Sequence, residues 1–223
     1  MKLAGTRSWR FAVEVSDLLH LALRVRDGAA LEVPTGPDVP PELLDPPVPR
    51  DPAETVGAGA DPAAAGTQWL PWWRELVELE SRRQLLRPDQ VRQPWRAVTR
   101  RLRTELAAAA DPPRFDALSQ RPALQAAARA VGGTPRRSID RQLRQARGWR
   151  EVIDWPVVNR AVRTVAEETS TNVNELNGCA LVLLVRGSWW QPVGPGAVLC
   201  SLAAAADPDT AAELVRAAVR SGL

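Results

Sequence analysis

The chain has 223 residues, 45% of them hydrophobic, enough to bury a substantial core, and 29 basic against 26 acidic residues leave a net charge of only +3. One histidine and two cysteines, with no Cys-x-x-Cys, exclude an ordinary Cys/His zinc centre and leave any Ser-His-Asp or Cys-His chemistry to His20 alone. The longest apolar run, "CALVLLV" at 179–185, is too short for a membrane helix of about 20 residues.

Lys2 is the only lysine, and arginine, alanine and proline are abundant, a usage that fits a GC-rich bacterial genome. The first residues, "MKLAGTRSWRFAVEV", carry no apolar stretch of signal-peptide length. The expectation is a cytoplasmic protein without membrane association. The cysteines are read as small buried hydrophobes in the reduced state.

In "SWRFAVEVSDLLHLALRVRDGAALEV", residues 8–33, Trp9, Phe11, Val13 and Val15, then Leu19, Leu21, Leu23 and Val25, alternate with smaller or more polar residues. Period two predicts strands, with Asp27 and Gly28 as a hairpin turn into "AALEV". Ser16 is also a helix cap, so residues 17–26 admit a helix as well. His20 is expected to be partly exposed. Residues 34–66 hold nine prolines and six acids against one arginine, which predicts an acidic connector without regular structure.

Residues 67–172 read as helices. Trp69, Trp72 or Trp73, Leu76 and Leu79 share a face, as do Trp95, Val98, Leu102 and Leu106 farther on. Ile139 and Leu143 mark another helix, and Val157, Val158, Ala161, Val162 and Val165 the one after Pro156. From 173 onward the pattern is strand, turn, strand and a helix capped by Asp207. Both faces of "CALVLLV" are apolar, so this strand is expected at the centre of a sheet covered on two sides. Pairing 179–190 with 193–202 about Gln191 and Pro192 sets Cys200 opposite Leu183 and keeps the thiols apart.

The predicted fold is α+β: a small, mostly antiparallel sheet, built from N-terminal strands and a C-terminal hairpin, packed against several central helices. Residues 1–33 supply strands, 34–66 connect, and 67–223 complete one domain with 1–33. Adjacent strand residues Trp189 and Trp190 point to opposite faces, and one of them is expected in the core and the other at the rim. Of Trp72 and Trp73, about 100° apart on a helix, one is expected at the core's edge. These four tryptophans are candidate partner anchors.

Charge is segregated, with eighteen arginines against eight acids in 67–150. Arg92, Arg96, Arg100 and Arg103 align on one predicted helix and Arg137, Arg141 and Arg144 on another (136–147), forming a candidate anion or nucleic-acid surface. No nucleophile stands beside a base, and Glu167 and Glu168 form no recognisable acid/base pair. The favoured reading is a non-catalytic interaction or accessory protein that needs no cofactor or metal and binds a protein partner. Nucleic-acid association is the alternative, and an enzyme acting on an anionic substrate comes third.

Overall fold

In the computed structural model, residues 9–46, 61–86, 95–131 and 152–223 are described. Strand β2, Asn177–Leu183, is buried at every position but its first, and the other elements cover it. Strand β1, Arg10–Glu14, runs parallel to one edge of β2, and β4, Ala197–Ser201, runs parallel to the other. Strand β3, Trp190–Pro192, pairs antiparallel with β4, so the order is β1-β2-β4-β3. The sheet is therefore mixed and mostly parallel, which corrects the antiparallel expectation.

The error lay in the turn. Gly194 and Gly196 take φ of +133° and +77°, values open to glycine, and the Val193 N–H bonds to the Ala197 carbonyl at 3.0 Å. The chain turns there and not at Gln191 and Pro192, which lie within β3. Cys200 consequently sits beside Trp190 and Val182, and Cys179 beside Ala197. The thiols are apart, as expected, but in a different register.

Seven helices are present among the described residues. One face of the sheet carries α1 (Asp17–Gly28), α2 (Pro62–Leu85), α3 (Trp95–Ala110) and α4 (Pro122–Val131), whose core includes Leu19, Leu23, Trp69, Trp73, Leu76 and Leu124 against Leu181, Leu183 and Leu199. The other face carries α5 (Trp155–Glu168), α6 (Leu202–Ala206) and α7 (Pro208–Ser221), with Val162, Val165, Leu214 and Val215 against Ala180, Val182 and Val198. Thus both faces of β2 and β4 are dry, as parallel strands require.

Residues 17–28 are helix, not strand. The Ser16 hydroxyl accepts the Leu19 N–H at 3.2 Å, and Asp17 adds a negative charge in the first turn. The alternation of leucines misleads because α1 is buried on several sides, including both Leu19 and Leu21, which erases a one-sided stripe. Residues 29–33 form no third strand. The expected helix over 136–147 lies outside the described residues.

The expected connector has no helix or strand over 34–46 but is shortened at its far end. Asp61 caps α2, so residues 62–66 are helical, and a Cβ on Gly66 would stand 2.1 Å from the Glu32 carbonyl oxygen. At the other end, buried Arg26 donates to Asp27 Oδ1 and the Pro40 carbonyl, both at 2.5 Å, and to the Pro41 carbonyl at 2.8 Å. Asp27 Oδ2 accepts the Leu43 N–H, and Leu43 bridges to Val185 beyond β2. Prolines offer carbonyls without competing N–H groups, and here a guanidinium gathers them.

His20, expected to be partly exposed, is buried. Its Nδ1–H donates to the Ser16 carbonyl at 2.7 Å, while Nε2 accepts the Leu184 N–H at 2.9 Å. One neutral imidazole thus joins the first turn of α1 to the end of β2. Burial pulls its pKa from 6.5 down to about 4, opposed in part by the bond to Ser16.

Because the unfolded chain binds this proton more tightly, the imidazole's contribution is complete above about pH 6.5. It falls as pH drops towards 4, by on the order of 3 kcal/mol in all. His20→Leu should cost about 1–3 kcal/mol at pH 7, since it orphans the buried Leu184 N–H, while the Ser16 carbonyl keeps its bond from the backbone N–H of residue 20. The gap between wild type and variant should narrow from pH 6.5 to 4, as urea unfolding at a series of pH values will measure.

Candidate functional site

The end of the sheet formed by β3 and β4 is where the tryptophan pair lies. Trp189 packs on the layer of α1–α4 and Trp190 on the layer of α5–α7, so the two do point to opposite faces. Both are half-buried, and the expected division into one core and one rim residue is not seen. Ser201, wholly buried, sets their position: its hydroxyl accepts the N–H groups of Trp189 (3.0 Å) and Ala204 (3.1 Å), while the Ser201 N–H donates to the Trp189 carbonyl. A serine between an apolar strand and an alanine run is a helix-cap signal in the sequence.

Trp72 and Trp73 are each 1% exposed, so neither is at the surface. Trp72 Nε1–H donates to the Ala109 carbonyl of α3 at 3.0 Å. Trp73 stacks on Trp69 with ring centroids 5.3 Å apart, and Trp69 Nε1–H donates to the Ala22 carbonyl of α1 at 2.8 Å. The divergence of adjacent helical residues exposes neither ring because α2 is covered on two sides. Both rings serve the core, and Trp73 also lines the cleft described below.

Of the arginine stripes, Arg92, Arg137, Arg141 and Arg144 lie outside the described residues. Arg96 and Arg103 fall on α3, but their side chains lie outside them too. Arg100 is exposed. Several other arginines of this region meet acids: Arg83 binds Glu80 through two nitrogens, and Arg121 binds Glu75. Arg129 meets Asp116 at 3.1 Å, and Arg101 meets Glu105 at 2.7 Å.

Both cysteines are free and buried, and burial pushes each thiol up to about 12, with Arg10 lowering and Glu80 raising Cys179 to a lesser extent. At neutral pH they are protonated and poor nucleophiles. Among the described residues no group of three or more His, Cys, Asp or Glu side chains is placed to hold a metal ion. His20 already spends both ring nitrogens on the backbone.

Among the described residues, one feature with the geometry of a binding site is a cleft of about 270 Å³ between α2 and the β3–β4 hairpin. Val77, Val193 and Leu199, with Trp73, form its apolar walls, and Asp38, Arg74, Glu78 and Gln191 complete its lining. Arg74 and Asp38, both exposed, form an ion pair at 2.5 Å on the rim. A wider cleft of about 680 Å³ lies beside the Arg26 and Asp27 cluster.

A further tryptophan pair has no local signature in the sequence. Trp9, just before β1, stacks on Trp155 at the start of α5, with ring centroids 4.9 Å apart and planes 19° from parallel. Trp155 is 58% exposed. The two stand 146 positions apart in the chain, so only tertiary structure brings them together. No family model matches the chain, and no curated protein or solved structure matches it significantly.

Trp72→Ala and Trp73→Ala should each destabilise the fold by about 3–5 kcal/mol in urea unfolding. Trp189→Ala and Trp190→Ala, which start from half-buried positions on opposite faces, should each cost less than either of these.

Proposed function

We propose that this chain is a non-catalytic interaction or accessory protein of the cytoplasm that binds a protein partner through the β3–β4 end of its sheet. The observation that carries this reading is the cleft between α2 and the hairpin, where apolar Val77, Val193 and Leu199 adjoin the charged Asp38, Arg74 and Glu78. Its volume suits one apolar or aromatic side chain, and a charged rim of both signs suits polar neighbours of either sign on the partner. Half-buried Trp189 packs against the same apolar layer as Val193 and widens the surface available to that partner. No helix among the described residues is long and apolar enough to cross a membrane.

Val193→Arg would fill the cleft from a residue that packs only at the margin of the core. In paired captures from native lysate read by mass spectrometry, a partner should be enriched by the wild type and reduced at least about tenfold with the variant, as loss of an interface anchor requires. Circular dichroism should show both chains folded. Identical captures by the two would overturn the reading. Binding to a polynucleotide that weakens with salt and with Arg100→Gln would instead support the nucleic-acid alternative.

A further inference from the structure

Strand β1 ends the sheet, and no described strand pairs with its outer edge. The Arg10 N–H bonds to the Leu176 carbonyl at 3.2 Å, so Arg10, Ala12 and Glu14 direct their backbone groups at β2. By alternation, the N–H and C=O groups of Phe11 and Val13 point outward. An edge of this kind is a template for another strand.

We propose that the outer edge of β1 pairs with β1 of a second copy of this chain, antiparallel and about a two-fold axis at Ala12, joining two sheets into one. The sequence Arg-Phe-Ala-Val-Glu is complementary to itself in that register. Phe11 faces Val13 of the second copy, and each is a position whose backbone groups point outward, as a hydrogen-bonded antiparallel pair requires. Arg10 faces Glu14 of the second copy and Glu14 faces its Arg10, in the closer type of pair, on one side of the sheet. A shift by one residue in either strand would lose both the charge match and the hydrogen bonds.

The existing contacts leave room for these new ones. The Arg10 guanidinium donates from Nη1 to the Leu86 carbonyl, and its remaining N–H donors extend the same planar fork. Glu14 has Arg83 at 3.7 Å, yet burial still holds its carboxyl above the ordinary range, so a second guanidinium would meet an incompletely compensated acid. On the opposite side of the sheet, Trp9 would face Val15 of the second copy. The stacked and exposed Trp155 lies beside that junction. An isologous two-fold contact uses each of these residues twice.

Sedimentation of the full chain over a concentration series tests the pairing. The wild type should reach a dimer within about 100 µM. Val13→Pro removes an N–H that β2 does not use, and it should leave a folded monomer. Arg10→Glu and Glu14→Arg each set like charges opposite one another twice and should raise the dimer Kd at least about tenfold.

Mixing those two variants restores both opposite-charge pairs in the heterodimer, and recovery of dimer in the mixture supports the register whether or not either variant is somewhat destabilised. A wild type that stays monomeric throughout, or a dimer whose Kd is unchanged by Val13→Pro, would overturn the proposal. Neither result bears on the β3–β4 cleft, which lies at the other edge of the sheet.

Discussion

Strand β2 lies between two parallel neighbours and is apolar on both sides, and the remaining architecture follows from that burial. Neither face of such a strand can meet water, so four helices close one side and three the other among the described residues. The last polar groups at its end must also be satisfied. His20 and the bridge at Leu43 do this from two different parts of the chain, the Leu44 N–H reaching the Leu184 carbonyl. An imidazole suits the task at Leu184 because it accepts at one nitrogen while donating at the other, which a leucine or an amide in that place could not do with the same rigidity.

Much of this was legible in the residues. The two-faced run 179–185 announced a central, covered strand, Asp207 and Pro208 announced the last helix, and opposite projection of Trp189 and Trp190 followed from period two. Strand direction was not legible, because local sequence says which face is apolar but not which distant strand lies alongside. Residues 17–28 misled for a related reason: an element buried on several sides has no polar face to show its period. Composition gave no sign of how the proline-rich stretch is held, since nothing local reports that Arg26 collects the carbonyls of Pro40 and Pro41.

The candidate site was less legible than the fold. Trp72 and Trp73 resemble surface anchors until their neighbours are known, and then become core, with the Trp69 and Trp72 indole N–H groups bonded to helix carbonyls. Conversely, the cleft beside α2 draws Asp38, Arg74 and Val193 from three separated segments, and no spacing in the chain connects them. Arginine content alone also overstates the available positive charge. Glu75, Glu80, Glu105 and Asp116 answer part of it at short range.

The pairing of Arg10 with Asn177 joins neighbours in space that are more than 160 residues apart in the chain. On the ribosome, at about 5–20 residues per second, β1 emerges on the order of ten to thirty seconds before the strand it must join. Once residue 85 has been made, α1 and α2 hold a tryptophan-rich face with no sheet to cover it. The pairing of β1 with β2 therefore waits for a distant segment, and the long separation makes that closure slow relative to helix formation. A nascent chain halted before residue 177 carries an open strand edge and a bare apolar layer together, the combination that chaperones recognise and that aggregates when they are scarce.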